Sequence, residues 1–209
     1  GTFGNQGTFG NQGTQGIIGP AGTTSEIFSV KDTTGGVTAP FGSGATVEYD
    51  TVEYNNTNFS LSTSAGTEGE VQVNLASGSV IHLTATVTTD NTNAGGSFSG
   101  RTVSRAYFEK DPQSGGTFGL VPNTYGYMYN RDTTNGENTT TIQFVDTIKQ
   151  SDKYRVRVET FTASGSTIKT VADASSLVIV ESNGGEQGSQ GIQGVQGRQG
   201  ITGTQGIQG

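Results

Sequence analysis

The sequence has no cysteine, no tryptophan, one methionine and one histidine among 209 residues. Without cysteine the chain can form neither disulfides nor thiolate zinc sites, and it has no cysteine nucleophile. A single histidine and the lack of a G-x-S-x-G motif leave a hydrolase triad without support. Gly42-Ser43-Gly44 lacks the third glycine and the helix of a dinucleotide fingerprint. We therefore predict no catalytic residue and no cofactor.

Charged residues are also scarce, at 14% of the chain, and the formal net charge is −7. Basic residues are scattered singly, as in "RTVSRAYFEK", whereas a nucleic-acid groove needs a clustered basic face. No apolar run approaches the roughly 18 residues of a membrane span, and no signal-peptide pattern is present. We expect neither nucleic acid nor membrane as a partner. Hydroxyl and amide groups dominate the polar residues, which favours an extracellular or particle-borne protein.

Glycine is abundant, with 34 residues, and near both ends it recurs at every third position. Three polyproline-II chains wound around one axis leave no room there for a side chain. The period therefore predicts collagen-like triple helices at 1–22 and 185–209, and hence a homotrimer. Both ends of the sequence are in phase with their repeats, so we expect it to be part of a longer chain. The triple-helix glycines are Gly1, Gly4, Gly7, Gly10, Gly13, Gly16, Gly19, Gly22, Gly185, Gly188, Gly191, Gly194, Gly197, Gly200, Gly203, Gly206 and Gly209.

Proline, which stabilises collagen, is nearly missing from these repeats, since only Pro20 falls inside a triplet. In the closing segment "GEQGSQGIQGVQGRQGITGTQGIQG" the residue before glycine is nearly always glutamine. We interpret these amides, which both donate and accept hydrogen bonds, as links to neighbouring chains and water along the rod. The alternative is a disordered Gly/Gln tract.

The middle of the chain, 23–184, has a different periodicity. Apolar and polar residues alternate, or β-branched residues are dense, in the segments 45–54, 70–76, 80–89, 140–148, 153–162 and 175–182. Clusters such as "DNTNAGG" and "DPQSGG" supply turns between them. Eight to ten short strands without a helical stripe predict an all-β jelly-roll sandwich.

A collagen-like stalk joined to such a β-domain resembles the C1q/TNF-like superfamily of trimeric jelly rolls, in the form found in phage and bacterial surface fibres. The resemblance rests on "VEYDTVEYNNTNFSLS", interpreted as an early strand pair, on "YGYMYNRDTTNGENTTTIQFVDTIKQSDKYRVRVETF" and on "SSLVIVES". In that family a late strand follows a Gly-Asp turn, and Ser151-Asp152 stands at that place here. The glutamine-rich triplets are similar to those of phage tail and structural fibres.

The resemblance implies that both ends of the β-domain lie at the same end, which suits a head on one stalk. Here repeats flank the domain on both sides. We therefore favour a domain threaded in mid-fibre, with its termini at opposite poles, because antiparallel neighbouring rods would need unusual loops.

Few side chains of the middle segment indicate a site. Tyr125, Tyr127 and Tyr129 form an i, i+2 stripe with Arg131 just beyond, a pattern that can contact a glycan or line a trimer interface or the core. His82 lies in an alternating segment, where a lone histidine indicates no function. The "RDTTNGEN" segment misses the spacing of a calcium loop and is typical of an Asx-rich turn, so no metal site is predicted.

These observations lead us to expect a structural segment of a homotrimeric bacteriophage fibre on the virion surface, in contact with other virion proteins. In this hypothesis the β-domain sets the register of the rods. The alternative is a glycan- or receptor-binding adhesin domain of a phage tail fibre or bacterial surface filament, with a host surface glycan as partner. A polysaccharide depolymerase would need converging carboxylates, but Asp50, Glu53, Glu159 and Glu181 are dispersed through the sequence. We expect no enzymatic activity.

Overall fold

Alternating apolar and polar residues, which direct one face of a strand into the core and the other to solvent, produce the strands of this domain. The computed structural model describes residues 25–39, 42–55, 57–91, 102–130, 136–161 and 168–182, all within the unit Thr24–Gly184. The triplet repeats 1–22 and 185–209 lie outside the described residues, as does Arg131. The strands are β1 (Ile27–Asp32), β2 (Thr38–Ala39), β3 (Ala45–Thr46), β4 (Thr51–Tyr54), β5 (Phe59–Leu61), β6 (Val71–Val73), β7 (Val80–Asp90), β8 (Thr102–Asp111), β9 (Gly119–Leu120), β10 (Gly126–Asn130), β11 (Asn138–Thr147), β12 (Asp152–Thr160), β13 (Ile168–Thr170) and β14 (Ser175–Glu181).

The strands form two antiparallel sheets. Sheet 1 has the order β4-β1-β14-β7-β11, and the short strands β13 and β2 extend it beside the end of β7. Sheet 2 has the order β5-β6-β12-β8-β10, with β3 on β12 and β9 on β8.

The pairing of the eight main strands is that of a long antiparallel ribbon rolled into a sandwich. The ribbon pairs are β1 with β14, β6 with β12, β7 with β11 and β8 with β10. Rolling adds β14 beside β7 and β12 beside β8. This strand order confirms the predicted all-β jelly roll.

Large side chains from both sheets meet between them. Phe28 of β1 stacks on Phe59 of β5 with ring centroids 5.3 Å apart. Phe144 of β11 contacts Phe108 of β8 at 4.9 Å and Tyr154 of β12 at 6.0 Å. These contacts join the two sheets across one apolar core.

The first and last described strands are neighbours. The backbone N–H of Glu181 donates to the carbonyl of Glu26 at 2.8 Å, next to the β1–β14 ladder. The expectation of termini at opposite poles is therefore wrong for the β-domain, because the two legs of a rolled ribbon begin and end side by side.

Two other expectations need correction. The segment 45–54 is not one strand, because Val47 bonds to Val156 of sheet 2 while Asp50 bonds to Lys31 of sheet 1, so the chain changes sheets between them. For the same reason 47–62 holds no strand pair: β4 pairs with β1, and β5 pairs with β6. Strands β1 and β8 were not predicted, because charged residues lie on their outward faces.

Candidate functional site

The tyrosine stripe lies on the outer face of sheet 2. Met128 and Asn130 of β10 point into the core, so the alternate residues point outward. Tyr125 is 37% exposed and Tyr127 is 56% exposed, whereas Tyr129 is half-buried. The interpretation as core residues is therefore wrong.

The cation beside these rings is Arg105 of β8, which is not among the residues that the sequence pattern indicated. The register places Arg105 directly between Tyr127 of β10 and Glu159 of β12. Phe161 lies just beyond β12, where its N–H donates to the Val103 carbonyl at 2.7 Å. The pairing of β10, β8 and β12 therefore places Tyr127, Arg105 and Glu159 side by side, although they are distant in the sequence.

Two nitrogens of Arg105 approach the same oxygen of Glu159. Nε donates to Oε1 at 2.7 Å, and Nη2 lies 2.5 Å from Oε1. The guanidinium carbon lies 4.5 Å from the ring centroid of Tyr125 and 5.1 Å from that of Phe161. Burial opposes the charge of Arg105, but the hydrogen bonds and charge of Glu159 outweigh it and raise the pKa of the guanidinium.

The rings form a continuous surface around this ion pair. Centroid distances are 5.6 Å from Tyr107 to Tyr125, 6.4 Å from Tyr125 to Tyr127 and 6.1 Å from Tyr127 to Phe161, the last pair edge-on at 81°. The Tyr107 hydroxyl donates to Oε2 of Glu159 at 3.3 Å, and burial raises the pKa of this tyrosine. We call Tyr107, Tyr125, Tyr127 and Phe161, with Arg105 and Glu159, the aromatic patch.

The outer face of sheet 1 is different in character. Ile27, Val180, His82 and Val145 stand opposite one another on four adjacent strands. Val145 is 55% exposed, Ile27 and His82 are exposed, and Val180 is half-buried. We call these residues the apolar row.

The carboxylates that a depolymerase would need have separate partners. Asp50 accepts hydrogen bonds from Thr33 and Thr34, and Glu53 lies 3.4 Å from the Lys31 ammonium. Glu181 accepts from Ser79 at 2.7 Å, and Glu159 belongs to the aromatic patch on the other sheet. The arrangement offers no general acid and base facing one another among these four.

The described residues also bear on two other features, a metal site and a membrane-spanning helix. Within them, no group of three or more His, Asp or Glu side chains could hold a metal ion. No helix among them has the length and hydropathy that a membrane crossing requires. Most of the calcium-like segment, 131–135, lies outside the described residues.

Comparison with solved structures finds similar chains. The chain is similar to murine APRIL. The crystal structure at pH 8.0 has a TM-score of 0.49 and 9% identity, and the match covers 76% of this chain and 99% of that chain. Eiger TNF from S. frugiperda has a TM-score of 0.41 and 12% identity, over 83% of this chain and 99% of that chain.

The globular domain of zebrafish complement 1qA has a TM-score of 0.41 and 12% identity, over 74% of this chain and 94% of that chain. No model of a known protein family and no curated protein matches the sequence. The assignment of a jelly roll rests on the strand order of the chain itself.

Proposed function

We propose that this protein is a structural segment of a homotrimeric bacteriophage fibre on the virion surface, in which collagen-like rods flank a jelly-roll domain. The observation that carries the proposal is the unbroken glycine period of three at both ends of the sequence. This period supports an assembly of three chains, because only glycine fits at the axis of a triple helix.

The β-domain supplies register. Polyproline-II chains have no internal hydrogen bonds and can slip past each other by whole triplets. A globular domain that associates in three copies determines which triplets face one another. The apolar row supports such an association. Ile27 and Val145 are exposed apolar side chains at its two ends, and half-buried Val180 and exposed His82 lie between them on adjacent strands, which gives a surface suited to contact with another copy.

The experiment is a mass measurement by light scattering together with circular dichroism of the full chain. A trimer mass and a weak positive band near about 220 nm, typical of polyproline-II-rich triple helices, are expected. Gly194→Ala should lower the melting temperature of the triple helix, monitored by the loss of that band. Gln193→Ala, one position away from the axis, should lower it less. A monomer mass would contradict the proposal, and so would equal effects of the two substitutions.

The second candidate is an adhesin domain that binds a receptor or glycan on the host. The aromatic patch favours it, because exposed aromatic side chains beside polar groups are enriched at binding surfaces. Three copies on one fibre would convert weak binding into useful avidity.

A further inference from the structure

We propose that the aromatic patch on the outer face of sheet 2 is a binding site for a neutral saccharide. This inference rests on the adhesin candidate and names its ligand class and its residues. It does not depend on the glycine repeats, so it can fail while the trimer proposal holds.

The exposed rings supply a stacking surface. Tyr127 is 56% exposed and Phe161 is 51% exposed, and their rings meet edge-on at 6.1 Å. A pyranose has a face of C–H groups that packs on an aromatic ring, with hydroxyls around its edge. The hydroxyls of Tyr125 and Tyr127 can donate to and accept from those groups.

Charge selects a neutral ligand over an acidic one. The guanidinium of Arg105 is already bound to Glu159, and that of Arg157 donates to Thr46 Oγ1 at 3.0 Å and to the Gly44 carbonyl. An acidic saccharide would have to compete with the carboxylate of Glu159 for Arg105, with little gain. Polar hydroxyl groups carry no such cost.

The patch is also preorganised. Arg105 lies against the rings of Tyr125 and Phe161 and is held by Glu159, while Tyr107 adds a hydrogen bond to the same carboxylate. Side chains that are already ordered lose little entropy on binding. The ion pair at the centre of the patch also suits a polar ligand better than the apolar surface of another copy.

The test is isothermal titration calorimetry of the full chain with maltohexaose, cellohexaose and hexagalacturonate. We expect at least one neutral hexasaccharide to bind more tightly than hexagalacturonate. Tyr127→Ala and Phe161→Ala should each weaken that binding by about tenfold, because each removes a stacking partner. Tyr127→Phe should retain most of it. The matched control is Leu120→Ala, which removes a 44% exposed side chain from the same sheet outside the patch and should have no effect.

Three outcomes would overturn the proposal. They are no binding of either neutral hexasaccharide at millimolar concentration, preferential binding of hexagalacturonate, and unchanged affinity in Tyr127→Ala. Light scattering of each variant tests whether another copy of the chain, rather than a saccharide, covers the patch. A lower mass for Tyr127→Ala would show that the patch joins copies of the chain. An unchanged mass with weakened binding supports the saccharide site.

Discussion

Lys110 of β8 and Asp152 of β12 form an ion pair in which the carboxylate is fully buried. The Lys110 ammonium lies 2.6 Å from Oδ2 of Asp152 and 2.7 Å from Oδ2 of Asp146 on β11, and the Asp152 side chain is 0% exposed. One ammonium therefore joins a strand of sheet 1 to two strands of sheet 2. The Tyr154 hydroxyl adds a hydrogen bond to Asp146 at 2.8 Å.

Removing this ammonium should strongly destabilise the fold. Lys110→Met leaves the buried carboxylate of Asp152 without its cation, which costs about 3 kcal/mol in the free energy of unfolding. Urea denaturation at fixed protein concentration measures this change in the free energy of unfolding. Lys149→Met, on an exposed lysine of the adjacent loop, should change the free energy by less than about 0.5 kcal/mol. Equal effects of the two substitutions would show that the ion pair is unimportant.

The same carboxylate predicts a loss of stability in acid. Burial opposes ionisation of Asp152, but hydrogen bonds from Lys110 and from the N–H groups of Lys149 and Gln113 outweigh it, so its pKa lies below the usual value. A depressed folded-state pKa contributes stability above the unfolded pKa of about 3.9 and loses it as the pH falls further. The free-energy difference between wild type and Asp152→Asn should therefore shrink below about pH 4. A constant difference from pH 7 to pH 3 would contradict this assignment.

Ser151, at the turn into β12, has a φ of 69°, in the left-handed region that favours glycine. Ser151→Gly should therefore raise the free energy of unfolding by about 0.5–1 kcal/mol. The same exchange at Ser176, inside β14, should lower it, because glycine there adds only flexibility. Denaturation curves of the two variants should shift in opposite directions; a shift of both to lower urea concentrations would contradict the strain at Ser151.

Gly69 and Gly66 form a matched pair, with φ of 76° and 88°. A Cβ on Gly69 would overlap the carbonyl oxygen of Val47, whereas a Cβ on Gly66 would meet open space. Alanine at either position has the same backbone strain of about 1–2 kcal/mol, so the difference between them measures the overlap alone. Gly69→Ala should be the more destabilising by at least about 1 kcal/mol in urea denaturation. Equal losses would mean that the loop moves aside freely.

The apolar row makes a prediction about assembly. Val145→Lys places a charge on a 55% exposed position of sheet 1, and it should shift the mass measured by light scattering from trimer toward monomer. Leu120→Lys, at a 44% exposed position of sheet 2, is the control and should leave the mass unchanged. The opposite pattern would move the contact between copies to sheet 2.

Much of the fold could be predicted from local pattern. The alternation in 80–89, 140–148, 153–162 and 175–182 predicted β7, β11, β12 and β14 with shifts of only one or two residues at their ends. The pattern did not predict strand β8, because its outward face carries Arg105, Tyr107 and Glu109, which look like scattered polar residues in the sequence. The triple helices, the homotrimer and the fibre remain predictions from the glycine period.

The candidate site could be predicted only in part from the alternation along single strands. Alternation places Tyr125 and Tyr127 on one face, and it could have placed Arg105, Glu159 and Phe161 on outward faces as well. It does not say that β8 lies between β10 and β12, which is what brings the aromatic patch together.

The sequence by itself determined which faces of β7, β11, β12 and β14 are apolar and which class of fold results, because side-chain direction follows the backbone period of two. Only the tertiary structure decided which strands are neighbours, which residue faces Arg105 and that the domain begins and ends side by side. Several of those relationships depend on pairing between segments more than 50 residues apart, such as Arg105 and Glu159 at a separation of 54. Such pairing is selected by the packing of the whole core and leaves no local trace in the sequence.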